Sequence, residues 1–160
     1  MDAREFFNEA QTAADELERC KLWLESHRAT AEAPKTQKFS ERVSTSGNHD
    51  PMGIIDEIMD KERNMRLTMI EFDEDIVGLA YTVVQKISNE FSDKAAQAIC
   101  SHYLLGEPWR RVYSDFAESR EYVRLLVKAA FDWLDSFYRF GTSSNGTLWI
   151  ESAHVNPEAL

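Results

Sequence analysis

Spacing constrains this chain more than any other feature. Apolar or small side chains fall at Phe6, Ala10, Ala13, Leu17, Cys20 and Leu24, in steps of 4, 3, 4, 3 and 4. Such steps bring every member onto one face of a helix and form a heptad seam. They predict a helix from about Asp2 to His27, its face widened by Leu22 and Trp23 near the end. A second run, Ile58, Met65, Met69, Phe72, Ile76, Leu79 and Val83, repeats the pattern. Its helix is expected to start at Asp50-Pro51, with Asp50 as N-cap and Pro51 in the first turn, and to reach about Ser88. Glu62 interrupts this seam, and Asp73, Glu74 and Asp75 lie beside it as an acidic patch with at least two members facing solvent. The second helix outlasts the first. An antiparallel pairing therefore leaves apolar seam over, which predicts a homodimer formed through the helical hairpin.

The rest of the chain divides by composition. Residues 29–50 contain Pro34 and the turn formers Ser44-Thr45-Ser46-Gly47-Asn48, without apolar period, and are expected to form a flexible connector. Residues 91–140 hold three shorter helices. Ser92 caps the first, which continues through Ile99 and Tyr103 to Leu105 and is broken by Gly106-Glu107-Pro108. The second covers Trp109 to Ala117, and the third, capped by Ser119, runs to about Phe140. Residues 141–160 form a polar tail, expected to be disordered unless Leu148, Trp149 and Ile150 dock locally. The expected architecture is all-α. A long, coiled-coil-like N-terminal helical hairpin (residues 1–28 and 51–88) is followed by a three-helix helix-turn-helix domain (residues 91–140).

Charge and chemistry narrow the function. The 160 residues carry a net charge of −10. Residues 1–90 hold 19 acids against 11 bases, whereas residues 91–140 hold 7 of each. The repulsion that acids exert on nucleic acid is thus concentrated outside the C-terminal helices. Cys20 and Cys100 lack a CxxC partner and read as small buried hydrophobes in a reducing compartment. Gly47-Asn48-His49-Asp50 resembles a metallophosphoesterase turn, but the companion Asp and His ligands are absent, so a helix-capping turn is the simpler reading. His102, beside Tyr103, reads as a packed or surface histidine. No nucleophilic triad and no phosphate-cradling glycine loop is present. The expectation is a protein that is not an enzyme, with no cofactor, no metal and no membrane span, located in the cytoplasm.

The segment Pro108 to Leu134 has the parts of a helix-turn-helix. Trp109, Val112 and Phe116 supply the inner face of its first helix, and Val123, Leu126, Ala130 and Leu134 that of the second. Ser119 caps the second helix and leaves Arg120, Glu121 and Arg124 exposed on its first turns. Arginine pairs with guanine edges in two hydrogen bonds, and a carboxylate accepts from cytosine N4. Lys128, one turn on, is placed to reach a phosphate. Arg110 and Arg111 lie on the preceding helix, where such motifs grip the backbone.

These residues resemble the fourth, promoter-reading region of bacterial sigma factors, through Val112, Phe116, Ser119-Arg120-Glu121, Val123-Arg124, Ala130 and Leu134. In that region a hydroxyl residue caps the recognition helix, and an Arg-Glu pair and a later Arg contact the promoter. The matching positions are Arg120, Glu121 and Arg124, while Tyr122 and Leu125 depart from the pattern. The whole chain resembles the phage late-gene transcription regulators of the ArpU and RinA type. That resemblance rests on Phe6 to Leu24, Ser44-Thr45-Ser46 with Asp50-Pro51-Met52, and His102-Tyr103-Leu104 to Leu134. Tyr103 with Gly106 and Trp109 is its most specific local piece, whereas Ala117 and Glu118 stand where a glycine is usual.

The resemblance implies a sequence-specific DNA-binding transcriptional regulator of phage or prophage genes in a bacterial host. Its partners would be double-stranded DNA and RNA polymerase. Two other expectations fit the same pattern: a small terminase-like DNA-packaging subunit, and a protein-interaction module that binds RNA polymerase.

Overall fold

A computed structural model describes residues 1–32 and 51–153. Over these residues the chain is predominantly helical. α1 (Ala3–Glu32) and α2 (Pro51–Glu90) are long, and α3 (Asp93–Ile99), α4 (Trp109–Ser114) and α5 (Arg120–Phe137) are shorter. α3 widens at its end into a π-helical turn, Cys100–Leu104. β1 (Tyr138–Thr142) and β2 (Leu148–Ser152) form an antiparallel hairpin. Among the described residues no helix is long and apolar enough to cross a membrane.

α1 starts with a reciprocal cap. Asp2 Oδ1 accepts from the Glu5 N–H at 2.7 Å, and the Asp2 N–H donates to Glu5 Oε2 at 2.9 Å. The Ala3 N–H donates to Asp135 Oδ1 at 2.7 Å, which ties this end of α1 to α5. α1 then runs antiparallel to α2. The Glu16 carboxylate acts on Asp73, whereas Cys20 Sγ and the Trp23 ring meet Arg66, at 3.7 and 5.4 Å. Numbers on α2 therefore fall as those on α1 rise. Helix α1 reaches Glu32, so the helix replaces the first residues of the expected connector. The proposed turn at Gly47-Asn48-His49-Asp50 lies outside the described residues.

The buried face of α1 follows its sequence pattern. Phe6, Ala10 and Cys20 are inaccessible, Ala13 is buried, and Leu17 and Leu24 are half-buried. The seam of α2 is displaced from the expected one. It passes through Glu62, Arg66, Met69, Asp73, Ile76, Ala80, Val83 and Ile87, an unbroken alternation of 4 and 3. Met69, Ile76 and Val83 belong to the expected seam. However, Ile58 (60 % exposed), Met65 (50 %) and Phe72 (40 %) face outward. Each of Arg66, Asp73 and Ala80 takes the place of the residue before it. Ala80 is buried in the same core as Ala10 and Ala13 of α1, and small side chains at such a seam let two backbones approach closely. Phe72 turns instead toward the β-hairpin, where a Cβ on Gly146 would lie 3.5 Å from its Cζ.

The end of α1 enters a second, aromatic part of the same core. Phe6 and Phe7 meet edge to face at 5.3 Å. Phe6 packs on Phe140 of β1 at 4.9 Å, and Phe7 on Tyr103 and Phe131 at 5.6 and 5.7 Å. Residues 91–140 thus close their interior with two phenylalanines from the other end of the chain.

Residues 141–153 differ from the expected polar tail. Helix α5 stops at Phe137, earlier than the expected Phe140, where Tyr138 adopts extended geometry (φ −134°, ψ 153°). The strands pair with Phe140 opposite Ile150 and Gly141 opposite Trp149. Phe140 and Leu148 are buried and supply the hairpin's apolar face. Gly146, at φ 83°, makes the reversal, and the Ser143 N–H donates to Thr147 O at 2.9 Å. Gly141 is required by proximity, since a Cβ there would come within 2.3 Å of the Trp149 ring.

Candidate nucleic-acid interface

The candidate surface lies where α4, α5 and the start of α1 converge. Ser119, in extended geometry, accepts the Tyr122 N–H on its Oγ at 3.2 Å and so caps α5. Val123, Val127, Ala130, Phe131 and Leu134 fix the buried face of that helix. At about 100° per residue, Arg120, Glu121, Arg124 and Lys128 then project from one edge beside it. All of them are exposed. Tyr122 and Leu125, the departures from the sigma pattern, are also exposed, at 48 and 55 %.

The Arg120 guanidinium lies over the Tyr113 ring of α4, 5.3 Å from its centroid. Arg124 Nη2 donates to Glu121 Oε1 at 2.8 Å, an ion pair on the outside of α5. This pair holds the arginine head in place but occupies one side of its donor set. Arg110 and Arg111 are exposed on the first turn of α4. Arg111 Nε lies 3.7 Å from Glu107 Oε1, whereas Arg110 makes no ion pair among the described residues.

The link from α4 to α5 is made without glycine. α4 ends at Ser114, before the expected Ala117, because the Asp115 and Phe116 N–H groups turn back to Val112 O and Tyr113 O at 3.2 and 3.4 Å. Ala117 and Glu118 fit here because no non-glycine residue among those described has positive φ. Phe116 is half-buried and packs against the core, and Lys94 of α3 pairs with Glu118.

The base of the interface is aromatic. His102 stacks on Trp109 at 4.0 Å and its Nδ1 lies 2.8 Å from Glu107 O, so this histidine packs and fixes the Gly106–Pro108 break. Trp109 is nearly parallel to Tyr113 at 5.6 Å. Gly106, at φ 72°, ends the π-helical turn. Between these rings, α5 and α1 lies a cavity of about 410 Å³, onto which Arg124 and Lys128 open. Arg4 joins them there, its guanidinium 5.8 Å from the Phe131 centroid. Spacing along the sequence gives no signal for Arg4, which stands at the opposite end of the chain. Only the insertion of Phe6 and Phe7 into the aromatic core brings it to α5.

Tyr103 lines the same cavity and is 6 % exposed. Its hydroxyl has no hydrogen-bond partner among the described residues. Burial raises its pKa above the ordinary phenol value and Arg4 opposes that rise, while Tyr113 adds to it. The phenol therefore remains a neutral donor at physiological pH.

Cys20 is buried and Cys100 half-buried, both as free thiols, and burial pushes the Cys100 thiol up in pKa. Among the described residues no group of three or more His, Cys, Asp or Glu side chains is placed to hold a metal. No protein-family model, curated protein or solved structure matches the chain.

Proposed function

We propose that this protein is a sequence-specific DNA-binding transcriptional regulator of phage or prophage genes, acting in the cytoplasm of a bacterial host. Helices α4 and α5 form its helix-turn-helix. The observation that carries this reading is the single exposed edge of α5, with Ser119 as cap and Arg120, Glu121, Arg124 and Lys128 in succession. α5 enters the major groove by its N-terminal half. Arg120 and Arg124 donate to guanine edges, and Glu121 accepts from cytosine N4 once its pair with Arg124 opens. Lys128, Arg110 and Arg111 reach phosphates and set affinity rather than sequence. The resemblance to sigma-factor promoter reading and to the ArpU and RinA regulators points the same way.

The neutral charge balance of residues 91–140 makes a lone domain a weak binder. Two copies joined through α2 would present two recognition helices about one helical turn of DNA apart. The acidic outer face of α2, with Glu71, Glu74 and Asp75 exposed, limits non-specific binding and offers a surface to RNA polymerase.

Selection from random duplexes at two salt concentrations tests the proposal. An enriched motif is expected, with affinity that falls steeply as salt rises. Arg120→Ala and Arg124→Ala should each cost about 1–3 kcal/mol at one position of that motif. Absence of any enriched sequence, together with salt-independent retention, would remove the DNA-binding reading.

A further inference from the structure

We infer that the cavity between α1, α4 and α5 is a binding site for a small planar anion, a ring that carries one phosphate or carboxylate group. The inference stands on the cavity itself and does not depend on DNA binding.

Its volume, about 410 Å³, is that of a ligand pocket rather than a packing defect. Its charge is one-sided. Arg4, Arg124 and Lys128 all line it, and no carboxylate residue does. Arg124 is partly neutralised by Glu121, but Arg4 and Lys128 make no ion pair among the described residues. Like charges gathered around one recess repel each other, and in a chain of net charge −10 there is no shortage of acids to pair them. An anion in the recess relieves that repulsion.

The Tyr103 hydroxyl supplies an independent observation. The Tyr103 residue is 6 % exposed and lines the cavity, and its hydroxyl, which makes no hydrogen bond to another described residue, is not sealed from solvent. A hydroxyl at a cavity wall that makes no hydrogen bond within the protein is free to donate to an acceptor inside the cavity. An oxyanion in the recess would have Tyr103, Arg4, Arg124 and Lys128 around it as donors. The remaining walls, Trp109, Tyr113 and Phe131, are aromatic and suit a flat ring. A duplex is too wide to enter such a recess. The ligand is therefore a free small molecule, either a nucleoside monophosphate or an aromatic acid.

The test uses the full chain without DNA. Adenosine monophosphate, thymidine monophosphate, phenyl phosphate and benzoate are titrated while the Trp109 indole N–H is followed by NMR, assigned with Trp109→Phe. Adenosine and benzamide serve as uncharged controls and inorganic phosphate as the control without a ring. Saturable shifts are expected with at least one ringed anion, and binding about tenfold or more weaker for every control. Whether the nucleotides or the aromatic acids bind identifies the source. Lys128→Gln, a surface change that leaves the core intact, and Tyr103→Phe, which removes only the hydroxyl, should each weaken binding about five- to tenfold without loss of the folded spectrum. No saturable shift with any ringed anion overturns the inference. Equal binding of the controls overturns it as well, as does full affinity in both variants.

Discussion

Asp73 is the residue most at odds with its surroundings. It sits in the α1–α2 seam at 4 % exposure, and its Oδ2 has no hydrogen-bond partner among the described residues. Burial is the main cause that raises its pKa from 3.8 to about 6, and the Glu16 carboxylate of α1 adds to it. Lys21 of α1 pairs instead with the neighbouring Glu74, at 3.3 Å. The sign follows from linkage. Below pH 3.8 the group is protonated whether the chain is folded or unfolded, and it contributes nothing. Between that value and about 6 the unfolded chain releases the proton while the folded chain keeps it, so stability falls as pH rises. Above about 6 the full penalty is present, on the order of 3 kcal/mol from the size of the shift. Asp73→Asn removes the charge and keeps the shape. It should stabilise the protein by about 1–2 kcal/mol at neutral pH, less than the full penalty because a buried amide has its own desolvation cost. Near pH 4 it should change almost nothing. Urea denaturation of both proteins across this range checks the prediction, and an equal difference at both ends would show that Asp73 is not the titrating group.

Elements show how far local pattern reaches. The long helices, the caps at Ser92 and Ser119 and the exposed edge of α5 are written in local spacing, and the sequence predicts each of them. The register of α2 is not, because two neighbouring stripes share Met69, Ile76 and Val83 and differ in the positions between, one more apolar than the other. Hydrophobicity favours the stripe with Met65, Phe72 and Leu79. Close packing against the alanines of α1 favours the stripe with Ala80, even though it buries Asp73. Arg4 and Tyr103 escape sequence reading for a different reason, since only tertiary folding brings them to α5. The β-hairpin does leave a mark in the sequence. Asn145-Gly146 between the alternating pairs Tyr138, Phe140 and Leu148, Ile150 is a strong hairpin signal, masked by the Ser-rich composition around it. Its importance to the fold rests on Gly141, whose missing side chain admits the Trp149 ring. Gly141→Val should expel that ring, loosen Phe140 from Phe6, and destabilise the protein by about 1–3 kcal/mol. Thermal unfolding together with the Trp149 indole shift measures this. An unchanged melting temperature with a displaced indole would mean that the hairpin adds nothing to the core.

At the scale of the whole molecule, the question is what the first half of α2 is for. α2 has 40 residues and α1 has 30. At about 1.5 Å per residue their lengths are roughly 60 and 45 Å, so antiparallel pairing cannot cover all of α2. The N-terminal half of α2 bears Ile54, Ile55, Ile58 and Met65, each about half exposed or more and therefore not covered by α1. Exposed apolar residues in such a row favour contact with another chain, and a second copy brings the same row in two-fold symmetry. The neighbouring charges are already paired within the helix, Glu57 with Lys61 and Asp60 with Arg63, which leaves the apolar row as the free feature of this face. On the proposed DNA-binding reading, joining two copies here would also supply what the charge-neutral residues 91–140 lack, because a second recognition helix would bind at a high effective concentration. Ile58→Lys with Met65→Lys should therefore convert a dimer to a monomer in sedimentation while helix content is retained. On a duplex with two half-sites the double variant should bind about a hundredfold more weakly, and on a single half-site it should match the parent. If the parent chain sediments as a monomer at micromolar concentration, the dimer fails. The reading of Arg120, Glu121 and Arg124 as base contacts would survive that result, because single-half-site affinity tests it separately.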